Sequence, residues 1–567
     1  MMPAMVATEA VRPRVAPADR ALALAAVQRW FLRAGLFLLP IAYAWNTYDG
    51  YVLPKLLLAR VLLFGMLALF LLRYAVEGSI TLRRSALDLP ILAFLASAAL
   101  STVLAYNVNV AVFGTYSRYD GLLTSLTYAG LFWLSLQTLD SKAESRALLR
   151  VMLASGYAAA VLAIGQSMSD SVQLGALAPA FGTLGQKQAL GAFLALLLPL
   201  AAWELIAARG WPGRILALNA IVVMVLALVL SFSRSAWVAA AVAVLVVALA
   251  LYRNPRARIA IIALALLTVV VGGTAILTSG VALQRTDLLQ LGDRPVVWSD
   301  TLRLIASRPL AGYGPDNFGL VYPSFQSIYL QAPWDKAHEE VLQIAATQGL
   351  IGVAAYLWFL LAFARAFWSG HRDAAAWAVL AALAGYEATL LLNFTVPAAA
   401  FPFWIFLAGA LVTVGGTRET KSIVVRAPRL AMAAAALSVA VCALATVPAY
   451  FADVDLRAAV VDDFSGQSAA AMAPAQAAAS LAPYESVYAT EMGNIAFERN
   501  DWQAARLAYK IAADLGTFNP AVYRNLALSD QHLGLFAEGL AAAQRAYQLD
   551  RFDPANRALL LDFGGTP

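Results

Sequence analysis

Long apolar runs, separated by short polar segments, recur along most of the chain. A run of roughly 17 to 25 apolar residues is long enough for a helix to cross the ~30 Å hydrocarbon core of a bilayer. The runs centre near Leu36, Leu63, Leu95, Leu131, Ala158, Ala195, Val223, Val242, Leu266, Tyr356, Leu383, Ile405 and Leu437. The pattern therefore predicts an all-α polytopic membrane protein with about 13 transmembrane helices.

Composition supports this class. Hydrophobic residues make up 61% of the 567 residues and charged residues only 13%, whereas soluble domains usually have about 25% charged residues. The net charge of +6 does not indicate nucleic-acid binding, because the basic residues are spread over short loops between the apolar runs. The single cysteine, Cys442, lies inside an apolar run. This leaves neither a disulfide framework nor a cysteine-based metal site.

The distribution of basic residues predicts the orientation, because cytoplasmic loops carry an excess of Lys and Arg. The basic segments contain Arg12, Arg14, Arg20, Arg29 and Arg33; Arg73, Arg83 and Arg84; Lys142, Arg146 and Arg150; Arg209 and Arg214; Arg253, Arg256 and Arg258; Arg365 and Arg372; and Arg418, Lys421, Arg426 and Arg429. If these segments are cytoplasmic, the segments predicted to lie on the outer face are residues 46–52, the Arg118 loop, residues 181–188, Arg234, residues 279–340 and the tail after Tyr450. The polar, proline-interrupted N-terminus suggests that the first apolar run is retained as a helix.

Residues 279–340, called the large loop below, are mostly polar and lie between apolar runs. The loop holds Arg285, Arg294, Arg303, Arg308, Lys336 and His338. Many cations and one histidine at a membrane surface suggest a site for an anionic, lipid-borne substrate. Within the loop, the pattern predicts a short amphipathic helix from Trp298 to Ile305 and a turn at Gly312 and Gly314.

His338 lies three residues after Asp335, which is a candidate N-cap for the next transmembrane helix. The positive end of that helix would keep the imidazole neutral, and its free N–H groups would favour a bound anion. Arg234 lies where one apolar run ends and the next begins. It is either a snorkelling arginine or a fork of donors for a phosphate.

After Asp453 the composition becomes that of a soluble, alanine-rich helical domain. The tail repeats with a period of 34 residues, shown by Trp502 and Phe536, Ala508 and Ala542, Ala512 and Ala546, Leu515 and Leu549, Asn519 and Asp553, and Pro520 and Pro554. This period is typical of tetratricopeptide repeats, and a weaker unit ends near Pro483. The predicted domains are a cytoplasmic segment 1–29, a membrane domain 30–452 and an outer-face repeat domain 453–567. Such repeats usually bind proteins.

Other acidic residues suggest alternatives. The Asp453-Val454-Asp455 triplet has the spacing of a metal or nucleotide-sugar site, but its predicted position favours a solvated boundary. Glu204 and Glu387 lie near or within apolar runs and leave open a proton-coupled transporter. The chain has neither a phosphate-binding P-loop nor a dinucleotide fingerprint, so no nucleotide cofactor is indicated.

Several motifs, in their order and spacing, resemble the O-antigen ligase-like superfamily. They are Pro54-Lys55, Gly114 to Leu123, Ser233-Arg234-Ser235-Ala236-Trp237, Arg294 to Trp298, Gly312-Tyr313-Gly314 with Phe318, Ala337-His338-Glu339-Glu340-Val341-Leu342, and Gly349-Leu350-Ile351-Gly352. The resemblance covers most of residues 30–415. It differs at Glu339, where the family commonly has Asn, and at Gln186-Lys187-Gln188, where the family often has an Asn-rich turn.

The resemblance implies a glycosyltransferase, independent of metals and cofactors, that moves a glycan from undecaprenyl diphosphate to an acceptor hydroxyl. Arg234 and Arg294 would then bind the diphosphate, and His338 would act as the general base. Further candidates for substrate binding are Arg118, Lys187, Arg303, Tyr313 and Glu339. The implied location is the bacterial cytoplasmic membrane, with the large loop and the repeats on the periplasmic side.

The acceptor remains open. A ligase would use a lipid A core, an O-oligosaccharyltransferase a protein hydroxyl, and a polymerase a second lipid-linked repeat unit, all with the same arginines and histidine. The non-enzymatic alternative is a flippase or exporter of lipid-linked oligosaccharides, in which the arginines only bind diphosphate. Expected partners are the lipid-linked donor, the acceptor, the bilayer and a protein bound by the repeats.

Overall fold

Helices form nearly all of the regular structure in the computed structural model, which describes residues 17–174, 177–250, 292–330, 333–424 and 426–567. Before residue 251 the helices are α1 (Pro17–Leu38), α2 (Val52–Glu77), α3 (Asp88–Val103), α4 (Val108–Phe113), α5 (Leu122–Thr138), α6 (Lys142–Leu174), α7 (Lys187–Ala207), α8 (Trp211–Leu230) and α9 (Arg234–Ala250). After residue 291 they are α10 (Arg294–Ser307), α11 (Phe318–Val321), α12 (Glu340–Ser369), α13 (Ala374–Leu390), α14 (Pro397–Val414), α15 (Pro428–Phe464), α16 (Ser468–Leu481), α17 (Ser486–Glu498), α18 (Trp502–Leu515), α19 (Pro520–His532), α20 (Phe536–Leu549) and α21 (Pro554–Asp562). The all-α prediction is confirmed.

Eight of the described helices are long and apolar enough to cross a membrane: α1, α2, α6, α7, α8, α12, α14 and α15. Three shorter apolar helices, α3, α9 and α13, accompany them. Twelve of the thirteen predicted centres fall within described helices. The centre near Leu266 lies outside the described residues, as do Arg12, Arg14, Arg253, Arg256, Arg258 and Arg285. The chain is a multi-pass membrane protein.

Helix α14 lies at the centre of the membrane part. It begins at Pro397, where a missing N–H costs no helical hydrogen bond. Nearly all of its side chains are buried, and it packs against α2, α5, α6, α7 and α13. The Ser145 hydroxyl on α6 donates to the Gly409 carbonyl oxygen at 2.7 Å and lies 2.9 Å from the Thr413 hydroxyl. Small and hydroxyl-bearing residues of this kind allow helices to approach closely within a membrane.

Two small antiparallel strand pairs join the segments that follow α2 and α14. Strand β1 (Ser79–Ile80) pairs with β4 (Ile423–Val424), with Ser79 opposite Val424. Strand β2 (Arg83–Ser85) pairs with β3 (Thr417–Glu419), with Arg84 opposite Arg418. These pairs lie at the end of the bundle to which the charge pattern assigns the cytoplasm.

The large loop packs against a break in α12. Gly349 interrupts this helix with φ +69°, and a Cβ atom there would lie 2.1 Å from the Leu310 carbonyl oxygen. Only glycine permits both the backbone conformation and this close approach. The Leu350 amide donates to the Pro309 carbonyl oxygen at 2.7 Å, and the Gly314 amide donates to the Thr347 carbonyl oxygen at 2.8 Å. The predicted turn at Gly312 and Gly314 is confirmed, and both residues have positive φ.

The repeat region continues directly from the membrane part. Helix α15 packs against α2 and runs without a break through the predicted boundary at 453. Helices α17 and α18, and then α19 and α20, form packed pairs. Asn519 and Asp553 cap α19 and α21 by accepting from Ala521 and Ala555 amides, and proline follows each cap. The period of 34 residues therefore reflects a helix start that recurs in each repeat, with a capping residue followed by a proline at the first helical position.

The repeat helices pack on the same face as the large loop. The Asn109 side-chain amide, on α4, donates to the carbonyl oxygens of Tyr484 at 2.9 Å and Leu515 at 3.0 Å. Arg545 of α20 donates to the Leu320 carbonyl oxygen at 3.2 Å, and Arg551 donates to the Gln326 carbonyl oxygen. Phe518 packs against the apolar cluster inside the loop. The repeats therefore brace the loop from outside.

Candidate functional site

His338 lies just before α12 in a left-handed backbone conformation, with φ +56°. The helix begins at Glu340, and the Glu339 carboxylate accepts from the Val341 amide at 3.2 Å and the Leu342 amide at 2.7 Å. The predicted N-cap at Asp335 is therefore wrong, since Glu339 caps the helix. The Asp335 carboxylate instead accepts from Arg118 Nε at 2.5 Å.

The His338 ring lies between two aromatic rings. Its centroid is 4.7 Å from that of Trp334 and 4.9 Å from that of Phe394, both in edge-to-face geometry. The buried Nδ1 atom has no hydrogen-bond partner among the described residues. Burial and, next, the nearby Arg294 guanidinium lower the pKa of His338 to about 4, with Asp335 opposing them. The ring is therefore neutral at pH 7, mainly through burial and neighbouring cations.

Of the two predicted diphosphate ligands, Arg294 lies close enough to this ring to lower its pKa, and Arg234 lies close enough to Arg294 to lower the pKa of that guanidinium. Arg234 is the first residue of α9, and Arg294 is the first residue of α10. Burial lowers the pKa of the Arg294 guanidinium, and the close positive charge of Arg234 lowers it further. Arg294 in turn acts on His338. Three separate segments thus bring Arg234, Arg294 and His338 into one cluster, and both arginines lie at helix N-termini, where backbone N–H groups favour anions.

Arg118 belongs to the same cluster. Besides its bond to Asp335, its guanidinium carbon lies 5.5 Å from the centroid of the Phe394 ring, a distance typical of a cation–π contact. Lys187 begins α7 directly after Gln186, which borders the same small pocket as Arg118 and Lys336. Both predicted substrate contacts therefore lie at this end of the bundle.

The other three candidates make contacts within the loop. The Arg303 guanidinium lies 2.5 Å from Asp300 Oδ1 and donates to the Phe325 carbonyl oxygen at 2.9 Å. The buried Tyr313 hydroxyl lies 2.7 Å from the Ser307 hydroxyl. Glu339 serves as the helix cap. The Arg303 and Tyr313 contacts stabilise the predicted helix at 298–305, which spans the longer range Arg294–Ser307.

A buried ion triad beneath His338 was not predicted from the sequence. Lys336 Nζ lies 2.7 Å from Asp120 Oδ2 and 2.8 Å from Asp316 Oδ1, with the lysine side chain 1% exposed. Asp316 Oδ2 also accepts from the Thr115 amide at 2.6 Å and the Thr115 hydroxyl at 2.9 Å. Burial lowers the pKa of Lys336, but the two carboxylates together raise it above its ordinary value. The triad fastens the residues before His338 to two other segments.

Replacing Lys336 with methionine is expected to destabilise the protein by about 3 to 5 kcal/mol, because two carboxylates would remain buried without a counter-charge. The effect would be measured as a fall in the thermal unfolding temperature of the purified protein in detergent. Lys142→Met is the matched control, since the Lys142 pair with Asp373 is 3.5 Å long and exposed and contributes at most about 1 kcal/mol. Equal stability of the two variants would contradict a structural role for the triad.

A cavity of about 110 Å³ extends from the triad into the helices. Its lining includes Asp120, Asp316 and Glu340, and the buried hydroxyl of Tyr128, which also lines it, has no partner among the described residues. The Glu340 carboxylate accepts from the amide and the hydroxyl of Thr395, both at 2.8 Å. The triad therefore borders a largely apolar cavity that also contains buried polar groups.

Three of the other acidic residues singled out in the sequence, Glu387, Glu204 and Asp453, have partners. Glu387 accepts from the Tyr356 hydroxyl. Glu204 forms ion pairs with Arg146 at 2.8 Å and with Arg150 at 3.0 Å.

The interpretation of the Asp453 triplet as a solvated boundary is wrong for Asp453, which is fully buried. It accepts from the Asp49 amide at 2.8 Å and from the Tyr116 hydroxyl, and so connects α15 to two loops near the site. Among the described residues, no group of three or more His, Cys, Asp or Glu side chains is arranged to hold a metal ion.

Comparison with known proteins agrees with the resemblance. Residues 219–357 match the family model described as O-Antigen ligase, a segment that contains Arg234, Arg294 and His338. This segment is therefore similar to O-antigen ligases, which supports a membrane glycosyltransferase of the ligase or polymerase type. No curated protein matches the chain at a significant level. A solved structure entitled "Crystal structure of APC/C hetero-tetramer Cut9-Hcn1" is similar at 11% identity over 78% of this chain and 76% of that chain, with a TM-score of 0.19. A TM-score this low does not indicate a shared fold.

Proposed function

We propose that this chain, in which residues 219–357 match the O-antigen ligase family, transfers a glycan from an undecaprenyl-diphosphate donor to an acceptor hydroxyl. The transfer would take place at the periplasmic face of the bacterial cytoplasmic membrane. The observation that supports this most is the convergence of Arg234, Arg294 and His338 from three separate segments into one half-buried cluster. This cluster has the groups that the reaction requires.

In the proposed reaction, the acceptor oxygen attacks the anomeric carbon of the donor glycan while its proton passes to the neutral His338 ring. The bond between the anomeric carbon and the diphosphate oxygen breaks, and undecaprenyl diphosphate leaves with the bonding electrons. Arg234 and Arg294 stabilise the charge that develops on the leaving group, and preorganised donors of this kind act strongly in a half-buried site. The protonated His338 then returns its proton to solvent. No redox partner is needed, because the substitution transfers no electrons to or from another molecule.

The charges around His338 suit a base that acts only after the donor has bound. A base with a pKa of about 4 is weak, and general bases are most effective when their pKa lies near the working pH. A diphosphate bound at Arg294 would neutralise the cation that lowers the pKa of His338. We therefore expect donor binding to raise the basicity of the ring, so that the base becomes effective only when the donor is present.

The shape of the site supports a fixed base. The rings of Trp334 and Phe394 hold the imidazole from two sides, and the Lys336 triad anchors the chain two residues before it. Trp298 of α10 also donates from its indole N–H to the Ala337 carbonyl oxygen at 3.1 Å. These contacts couple the helix that carries Arg294 directly to the residue preceding the base.

The proposal is tested by reconstituting the purified full-length protein with a lipid-diphosphate-linked glycan. Three acceptor classes are supplied separately: a lipid A core, a peptide with serine or threonine, and a second lipid-linked repeat unit. A glycan-modified product detected by mass spectrometry identifies both the reaction and the acceptor class, and a parallel reaction with EDTA tests whether it is independent of metals. Translocation of donor across vesicles with no product for any acceptor would favour the flippase alternative and contradict the proposal.

The repeat domain is expected to hold the large loop in its active shape. The double substitution Arg545→Ala and Arg551→Ala removes its hydrogen bonds to the Leu320 and Gln326 carbonyl oxygens. Each such bond contributes roughly 0.5 to 1.5 kcal/mol, so we expect the loss of both to lower transfer to every acceptor by about fivefold to 150-fold, with faster amide hydrogen exchange in residues 318–330. Substitution of the exposed Arg557 by alanine is the control. A loss confined to one large acceptor would show instead that these arginines bind that acceptor.

A further inference from the structure

A second cavity lies at the end of the bundle away from His338. Helix α7 begins at Lys187, beside the small pocket near His338, and ends twenty residues later at Ala207. At 1.5 Å per residue this helix spans about 30 Å, the thickness of the hydrocarbon core. The cavity lies at the far end of α7, between α6, α7 and α8, and has a volume of about 800 Å³.

The walls of this cavity form a groove rather than a closed pocket. On α6 the lining residues Arg146, Arg150, Ala154 and Tyr157 follow helical spacing and share one face. The distance along the axis from Arg146 to Tyr157 is about 16 Å, which is close to the depth of one leaflet. On α8 the wall consists largely of small residues, including Ala217, and small side chains leave the volume unfilled.

The mouth of the groove is positively charged. Arg146 and Arg150 both bind Glu204, through their Nε and Nη2 groups, at 2.8 to 3.1 Å. The Nη1 group of each of these two arginines takes no part in these hydrogen bonds to Glu204. Arg209 also lines the groove and is exposed, and it has no hydrogen bond or ion pair to any residue in the described parts of the chain. Three arginines and one glutamate leave an excess of two positive charges above an apolar groove.

We propose that this groove binds an anionic phospholipid, with the phosphate at Arg150 and Arg209 and one acyl chain lying along α6 toward Tyr157. The charge selects an anionic headgroup, and the depth of the groove matches one leaflet. Glu204 holds two of the arginines in place, so the site is preformed and needs no rearrangement. Basic pockets between transmembrane helices on the cytoplasmic side are known to favour such lipids.

The test uses the full-length protein in detergent and a fluorescent phosphatidylglycerol as the probe. Arg150→Gln with Arg209→Gln is expected to weaken binding by about 25-fold, because each basic group near an anionic headgroup contributes about fivefold. Ala217→Phe fills the groove without changing its charge and should also weaken binding at least tenfold. Arg365→Gln with Arg372→Gln is the matched control, since both are exposed arginines of one basic segment, and it should bind within twofold of the unmodified protein.

Competition identifies the ligand class. Unlabelled phosphatidylglycerol should displace the probe, whereas equal concentrations of phosphatidylcholine or of inorganic phosphate should not. Equal displacement by phosphatidylcholine would show that the groove is an apolar surface without selectivity for the headgroup. Displacement by inorganic phosphate would show that it binds phosphate and not a lipid. Either result overturns the proposal. If Ala217→Phe does not give monodisperse protein, the paired arginine variants decide, since unchanged binding in Arg150→Gln with Arg209→Gln also overturns it. None of these readouts depends on glycan transfer.

Discussion

Replacing His338 with alanine is expected to lower the rate of glycan transfer by about 10²- to 10⁴-fold, the usual contribution of a general base. Binding of the donor should remain within a few-fold of normal, because the base acts on the acceptor hydroxyl and adds little to the affinity for diphosphate. The measurement is the initial rate of product formation at saturating donor, together with a separate binding assay with the lipid-diphosphate donor.

Two controls separate chemistry from packing in this variant. His338→Gln retains more volume between the rings of Trp334 and Phe394 but cannot act as a base at neutral pH, so it should be as inactive as the alanine variant. His371→Ala removes an exposed histidine and should be fully active. Half of the normal turnover in either His338 variant would exclude this residue as the base.

The pH dependence of the reaction should follow from the environment of His338. Burial and Arg294 lower its pKa to about 4, and a base must be unprotonated to act. We therefore expect kcat/KM, which reports the free enzyme, to fall only as the pH drops through about 4, instead of through the ordinary histidine value near 6.5. The initial rate at low donor concentration, measured from pH 3.5 to 8, checks this. A fall centred at 6.5 would show that the active ring is exposed to solvent.

The apolar runs predicted most of the membrane helices because one local property decides that structure. A segment without water must satisfy its backbone hydrogen bonds internally, so a sufficiently long apolar run becomes a helix whatever its neighbours are. The repeats were also readable from sequence, since Asn519 and Asp553 cap their helices by purely local hydrogen bonds. What the pattern did not reveal was the packing of α20 and the segment that follows it on the large loop, which depends on contacts between residues more than two hundred positions apart.

The site was only partly predictable for the same reason. Arg234, Arg294 and His338 stand out because a cation or a lone histidine in a membrane protein is chemically unusual. Lys336 was visible as a loop cation, but one of its two partners, Asp120, lies 216 residues away in the sequence, and nothing in the local pattern marks the other, Asp316, as its partner. The N-cap error at Asp335 has a similar cause, because its carboxylate is taken by Arg118. Long-range ion pairs override local capping patterns, and no single sequence displays them.

Replacing Arg294 with glutamine is expected to lower transfer by about 10²- to 10³-fold, the range found when one preorganised donor to a developing charge is removed. Arg294→Lys should also lower transfer, by about tenfold or more, because an ammonium group cannot reproduce the bidentate fork of hydrogen bonds. The same ranking is expected at Arg234. Arg308→Gln is the matched control, since this exposed loop arginine lies over the Tyr313 ring, 4.6 Å from its centroid. If both lysine variants equal the unmodified enzyme, the arginines serve topology alone.

The two arginine sites should differ in one further respect, which tests the arrangement of the cluster itself. Arg294 lowers the pKa of His338, so its removal should raise that pKa and move the acid limb of kcat/KM to higher pH. Arg234 acts on Arg294 and is not among the cations that shift the histidine most, so Arg234→Gln should lose activity with a much smaller movement of the limb. Since both residues would contact one diphosphate, the double variant should lose less than the product of the single effects. Equal limb shifts in the two variants, or strictly multiplicative losses, would contradict a cluster in which Arg294 lies between Arg234 and the base.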